Sequence, residues 1–266
     1  MFKYLQIETT TFCNAKCWFC PNHMTPKDHM DIDLIRNIID STRDLGIVYR
    51  PFGLGDPLVD VRMPEICRYI KQDRTAVVEL HTNGEPLTEK MEINISPFVD
   101  RMRFSVDGIT RETFDESRGI NFDRVYENVT RFIENNPNID CQVRMINLPG
   151  TEKEQTDFLN YWNGVRPGCA VITELYQHPW EDQTESLNLP CKKTTNEAFI
   201  YVNGDVHLCP WDFGKRNIIG NVNNATIVKI WQSQMYQNYR DILSQGRRCD
   251  IELCSRCNAV FNMENT

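Results

Sequence analysis

Three cysteines, Cys13, Cys17 and Cys20, stand in a C-x3-C-x2-C pattern directly after an apolar, strand-like run over residues 2–7. Three thiolates on one short loop can each take one iron of a 4Fe–4S cube, which ordinarily takes four ligands. The remaining iron then has no protein ligand from this loop, and an open metal position is where chemistry takes place. Zinc is the alternative. It prefers four ligands, usually from paired C-x2-C units, and the nearby His23 is the residue that could complete such a site.

A second set of thiols lies towards the C-terminus. Twelve residues separate Cys191 from Gly204, and four separate Gly204 from Cys209. The apolar runs 199–202 and 206–208 flank Asn203-Gly204, the strongest short-range hairpin signal. Such a hairpin folds Cys209 back towards Cys191, so that both can reach one metal centre. Cys254 and Cys257 supply a C-x2-C pair, and Cys249 precedes it by five positions. Four thiols of this kind suit an iron–sulfur cluster or a tetrahedral zinc, with Cys249 free or standing in for one of them. Cys67, Cys141 and Cys169 read as small core hydrophobes.

The chain has 266 residues, 41% hydrophobic and 25% charged, which suits one large or two modest globular domains. Its 29 basic and 37 acidic residues give a net charge of −8, with no basic stripe, which argues against a nucleic-acid substrate. Eleven cysteines would suit a secreted disulfide protein, but residues 1–8 lack a signal-peptide core. No run approaches the roughly 18 apolar residues of a membrane span. The expectation is a cytoplasmic protein with no membrane partner, whose thiols are metal ligands rather than bridges.

Six β-type runs recur, near residues 3–8, 47–52, 76–81, 101–106, 141–146 and 170–175. Helical patterns separate several of them: 32–45 with Asp31 as N-cap, 63–72, 122–135 and 152–162. Strand and helix alternating in this way predict an α/β protein with a parallel sheet. Ligands then bind at the C-terminal ends of the strands. Arg144, Asn147, Glu174, Tyr176 and His178 lie near the ends of the last two runs, with no assigned role. Near the C-terminus one helix is expected to carry Ile227, Ile230, Trp231, Met235, Tyr239 and Ile242.

Together these features resemble the radical S-adenosylmethionine (SAM) superfamily, whose signature loop is C-x3-C-x-aromatic-C, here with Phe19 before the last cysteine. Gly53-Leu54-Gly55-Asp56-Pro57 is similar to the family's G-G-E-P loop, with Asp for the commoner Glu. Thr82-Asn83-Gly84 matches its T-N-G, Ser105-Val106-Asp107-Gly108 its S-x-D-G, and Phe114-Asp115-Glu116-Ser117-Arg118-Gly119 its Y-D-x-x-R-G. Cys191, Gly204, Cys209, Cys254 and Cys257 resemble the family's SPASM/twitch extension in its shorter, single-cluster form.

The resemblance implies a partial (β/α)6 TIM-like barrel over residues 1–180. A small twitch/SPASM-type iron–sulfur domain with a β-hairpin and helix follows over 181–266. Cys13, Cys17 and Cys20 would hold a SAM-binding 4Fe–4S cluster, with Phe19 near the adenine. Gly55, Asp56, Thr82, Asn83, Ser105 and Arg118 would contact SAM, Asp56 through its amino group. Cys191, Cys209, Cys254 and Cys257 would hold an auxiliary 4Fe–4S cluster without an open site, suited to accepting electrons. The implied activity is reductive cleavage of SAM to a 5′-deoxyadenosyl radical and hydrogen abstraction from a substrate C–H bond. The expected outcome is oxidation of a sugar-like or cyclitol alcohol, with an electron donor such as flavodoxin or ferredoxin. A peptide-modifying maturase, a radical epimerase using Cys249, and a non-catalytic metal-binding module are the alternatives.

Overall fold

The computed structural model describes residues 1–175, 187–213, 217–257 and 259. Six strands run parallel in chain order: β1 Tyr4–Ile7, β2 Val48–Arg50, β3 Val77–Thr82, β4 Arg101–Ser105, β5 Asp140–Asn147 and β6 Ala170–Glu174. The connections are helical: α1 Ile32–Asp40, α2 Met63–Ile70, α3 Glu89–Ile95, α4 Arg111–Arg118, α5 Phe122–Asn135 and α6 Gln155–Val165. This is the open (β/α)6 partial barrel expected.

Alternate strand residues divide between two surroundings. Leu5, Tyr49, Val78, Leu80, Met102, Phe104, Val143 and Met145 are buried in one continuous hydrophobic core with helix residues such as Ile35, Ile38, Ile66, Ile70 and Phe132. Cys67, Cys141 and Cys169 lie in that core, as small hydrophobes do.

The C-terminal segment extends the same sheet instead of building a separate one. After the short α7 Lys192–Asn196, β7 Glu197–Ile200 pairs parallel with β1, and β8 Asp205–His207 and β9 Ile218–Asn221 follow antiparallel. The nine-stranded order is β6-β5-β4-β3-β2-β1-β7-β8-β9. Asn203-Gly204 does turn the hairpin, with Gly204 at φ +86°. The boundary expected at 180/181 lies outside the described residues.

Three expectations change. The first helix ends at Asp40, not Leu45: the Ser41 and Thr42 hydroxyls bond back to the Ile38 carbonyl, and Asp44 and Gly46 take positive φ. The last helix is two, α8 Ile227–Trp231 and α9 Gln234–Ser244, because the Ser233 hydroxyl accepts from the Tyr236 amide and caps a new helix. The helix expected over 152–162 starts and ends three residues later. Among the described residues, no helix is long and apolar enough to cross a membrane.

Gly204→Ala tests the hairpin that carries Cys209. A Cβ there would stand 2.6 Å from Asn223 Nδ2 on a left-handed backbone. The expected loss is roughly 1–2 kcal/mol of stability, read as a lower Tm.

Candidate active site: two thiol sets beside one cavity

The loop after β1 is pinned before it reaches its cysteines. The Thr11 hydroxyl donates to Pro26 O (2.8 Å) and accepts from the Asp28 amide (2.8 Å), and Asn22 Nδ2 donates to Thr11 O and Leu54 O. Lys16 N donates to Arg118 O at 2.8 Å and Asp56 N to Phe12 O at 2.9 Å, so the C-terminal end of α4 and the loop after β2 grip the cysteine loop directly. Gly55 permits this approach, since a Cβ there would lie 2.3 Å from Thr10 O.

Cys13, Cys17 and Cys20 are half-buried free thiols. Burial, then the nearby Asp56, pushes the Cys13 thiol up to about 12. Burial also raises Cys17, against the field of Arg118, and Cys20, against its hydrogen bond from the Asn22 amide. Left to themselves such thiols stay protonated at neutral pH; a bound cationic centre makes them thiolates.

The second set gathers in the same way. Burial and then Cys191 raise the Cys209 thiol, with Cys254 and Cys257 adding to it; burial and Cys191 push Cys254 up to about 12. The hairpin therefore does bring Cys191, Cys209 and the C-x2-C pair into one neighbourhood. Cys249 is exposed, its Sγ 3.5 Å from Asp250 Oδ1. Among the described residues no three His, Cys, Asp or Glu groups converge tightly enough for a single metal ion. Four thiols gathered by a hairpin and a C-x2-C pair supply the soft sulfur donors that an iron–sulfur cluster takes.

A cavity of about 1230 Å³ in the barrel has Cys20 and the segment that follows Cys209 in its wall. Phe19, Cys20, Ser105, Asp107 and Arg118 line one part, and Pro210, Trp211 and Phe213, directly after Cys209, line another. Arg118 is buried; its Nη2 pairs with Asp107 Oδ2, its Nη1 lies 3.7 Å from Cys17 Sγ, and its guanidinium stands 5.8 Å from the centre of the Phe19 ring. Ser105, Phe19 and Arg118 are thus brought together.

Gly55, Asp56, Thr82 and Asn83 lie buried behind the cavity wall. The Asp56 carboxylate accepts from the Thr82 hydroxyl (2.9 Å) and the Asn83 and Leu58 amides (2.8 and 2.9 Å). Asn83 Nδ2 in turn reaches Asn14 Oδ1 (2.9 Å) and lies 4.0 Å from Cys13 Sγ. These bonds tie the loops after β2 and β3 to each other and to the cysteine loop. Arg144 and Glu174 line the cavity, while Asn147 bonds Gln155 at 2.7 Å. Tyr176 and His178 lie outside the described residues.

Sequence reasoning missed the charged lining. Arg50, His81, Arg101, Arg103, Gln142 and Lys193 line the cavity. Arg50 Nε pairs with Glu79 Oε1 (2.8 Å), and His81 Nε2 lies 3.0 Å from the same oxygen with its ring stacked on Phe52. Arg144 has the neutral Gln142 Oε1 as its partner, and burial, then Arg103, brings it down to about 10. The signal was available: charged residues alternate in Val-Glu-Leu-His, Arg-Met-Arg-Phe-Ser and Asp-Cys-Gln-Val-Arg, where a parallel strand covered on both faces would be apolar throughout.

Residues 7–161 match the model of the radical SAM superfamily, and 191–258 that of an iron–sulfur cluster-binding domain. The chain is 24% identical to S-adenosyl-L-methionine-dependent 2-deoxy-scyllo-inosamine dehydrogenase of Niallia circulans, over 98% of this chain and 94% of that protein. It is 28% identical to a probable GTP 3′,8-cyclase of Methanococcus maripaludis over 48% of this chain and 45% of that one. Among solved structures, BtrN with AdoMet and 2-DOIA aligns with a TM-score of 0.70 at 20% identity, covering 98% of this chain and 94% of BtrN. Streptococcus suis SuiB bound to precursor peptide SuiA aligns with a TM-score of 0.73 at 12% identity, covering 96% and 71%. These structural likenesses establish the fold.

Burial, opposed by the hydrogen bond to Glu79, brings His81 down to about 3 from its ordinary 6.5. The unfolded chain therefore takes up a proton near pH 6.5 that the folded chain refuses until near pH 3. Folded stability should fall as pH drops through that window. Urea denaturation of the metal-free chain at stepped pH checks this, and His81→Gln should flatten the slope.

Proposed function

The chain belongs to the radical SAM superfamily, and from that premise we propose that it dehydrogenates a small, polar, polyhydroxylated molecule of the sugar or cyclitol alcohol class. The observation that carries the proposal is the single cavity shared by Cys20 and by the segment that follows Cys209. A substrate there would have a three-cysteine centre at one side and a four-cysteine centre at another. In this reading Cys13, Cys17 and Cys20 hold the SAM-binding cluster, and Cys191, Cys209, Cys254 and Cys257 the auxiliary one. When bound, the first cluster supplies the electron that splits SAM into methionine and the radical that takes a substrate hydrogen atom, and the second supplies an acceptor for the electron the substrate then gives up.

The chain's own groups bind and exclude. Phe19 offers a face for the adenine, and Ser105 and Arg118 offer donors for the cofactor's carboxylate or ribose. Arg50, His81, Arg103, Gln142 and Arg144 supply hydrogen bonds on the substrate side, which suits hydroxyls rather than an apolar ligand. The relative from Niallia circulans is named for 2-deoxy-scyllo-inosamine, a substrate of this class.

The division of labour follows residues 1–180 for SAM chemistry and 181–266 for electron removal. The electron donor, flavodoxin or ferredoxin, would approach the outer side of the cysteine loop, where Trp18 and Met24 are 56% and 67% exposed. A cytoplasmic setting belongs to the same proposal, because these thiols need reducing surroundings.

Anaerobic reconstitution with a panel of cyclitols and sugar alcohols tests the reading. The expected result is one 5′-deoxyadenosine per ketone, with deuterium moving from the substrate carbon to 5′-deoxyadenosine. Solvent deuterium in the product would indicate epimerisation, and no 5′-deoxyadenosine at all would overturn the proposal. Cys17→Ala should abolish SAM cleavage. Cys254→Ala should leave 5′-deoxyadenosine formation and lose the ketone.

A further inference from the structure

Arg248 is 1% exposed and opens a short turn, Arg248–Asp250, that follows α9. Its Nε donates to Leu189 O at 2.7 Å, Nη1 to Ala259 O at 2.8 Å and Cys257 O at 3.3 Å, and Nη2 to Pro190 O at 3.4 Å. Nη1 also lies 3.9 Å from Cys257 Sγ. Among the described residues no carboxylate pairs with this guanidinium. Asp250 pairs with Arg247, and the buried Asp212 accepts from the Asn217 amide at 2.7 Å and faces His207 at 3.3 Å.

Backbone carbonyls satisfy the donors but leave the charge in place. An arginine cannot shed its proton, and a buried cation without an anion is strongly destabilising. A group able to carry negative charge, the Cys257 thiol of the second set, stands 3.9 Å from the guanidinium. We propose that Arg248 is the positive charge that balances the anionic cluster held by Cys191, Cys209, Cys254 and Cys257, and that it raises that cluster's reduction potential. The proposal rests on the reading of those four thiols as an auxiliary cluster site. Reduction adds negative charge, so a fixed cation beside a ligating sulfur favours the reduced form. Burial keeps water from screening the field. The same field already opposes the rise that burial imposes on the Cys254 and Cys257 thiols. Arg248 also staples the segment before Cys191 to the segment after Cys257, so a packing role must be told apart from an electrostatic one.

The experiment uses the full chain with Cys13, Cys17 and Cys20 changed to Ala, so that only the auxiliary site can load. Iron and sulfide content and an EPR-monitored redox titration are compared for this parent and for Arg248→Lys and Arg248→Gln added to it. Lysine keeps the charge and should leave the midpoint near the parent's. Glutamine keeps donors without charge, and at a fixed potential its reduced-to-oxidised ratio should fall about tenfold, a drop of about 59 mV for a one-electron couple. An unchanged midpoint for Arg248→Gln overturns the proposal. If glutamine prevents loading while lysine permits it, the charge requirement stands; if both prevent it, Arg248 only packs and the proposal falls. A parent chain that assembles no cluster overturns the underlying reading itself, an outcome the iron content shows before any titration.

Discussion

Arg50 joins the two parts of the chain inside the barrel. Its Nε pairs with Glu79 of β3 and its Nη1 with Glu197 of β7, each at 2.8 Å, while the guanidinium lies 4.2 Å from the Tyr4 ring centre on β1. Burial alone would raise both carboxyls, but His81, Arg50 and Arg103 around Glu79, and Lys193 and Arg50 around Glu197, hold them below the ordinary range. A buried ion pair adds little net stability over an apolar substitute, yet breaking one by deleting a partner costs about 3–5 kcal/mol. What the fork supplies is specificity of arrangement. It places β7 beside β1, and with β7 comes the hairpin whose following segment, Pro210, Trp211 and Phe213, lines the cavity.

The polar lining also explains why there is a cavity. A closed barrel of parallel strands is normally filled by layers of branched apolar side chains. Here the strands turn Glu79, His81, Arg101, Arg103, Gln142 and Arg144 away from the helices, and these groups need one another, water or a ligand rather than close packing. The apolar half of each strand meanwhile packs against helices, so stability and ligand space are drawn from opposite faces of the same residues. The cysteine loop sits above this space, and Gly55 lets the second loop press against it from behind.

Much of this was legible in the sequence because the signals were local. The six strand runs, the Asp31 cap, helix 122–135 and the Asn203-Gly204 turn each depend on a few neighbouring residues, and each appears in the structure. The break at Ser233 was hidden because the apolar spacing continues smoothly across it. The pairing of β7 with β1 was hidden because nothing in a strand's own sequence names a partner almost two hundred residues away. Asp56 shows the limit at the site: a carboxylate in a glycine loop suggests a ligand contact, while its bonds from the Thr82 hydroxyl and the Asn83 and Leu58 amides come from packing that no local pattern spells out. Family patterns fix which residues occur, whereas their partners are set by three-dimensional packing.

The charges around the two thiol sets are carried by side chains buried on folding. Near the first set stand two buried carboxylates, Asp56 and Asp107, and one buried guanidinium, Arg118, already paired with Asp107. Asp56 is surrounded by donors only, which favours its charged form against the burial that raises its pKa. Lys27 also acts on Cys20, but it is exposed and water screens it. Near the second set stand one buried carboxylate, Asp212, and the carbonyl-bound Arg248. At Cys17 and Cys20 the field of Arg118 opposes the rise that burial imposes, and Arg248 acts in the same direction at Cys254 and Cys257. A guanidinium buried on folding thus stands beside each cysteine set, Arg118 held by its pair with Asp107 and Arg248 by backbone carbonyls.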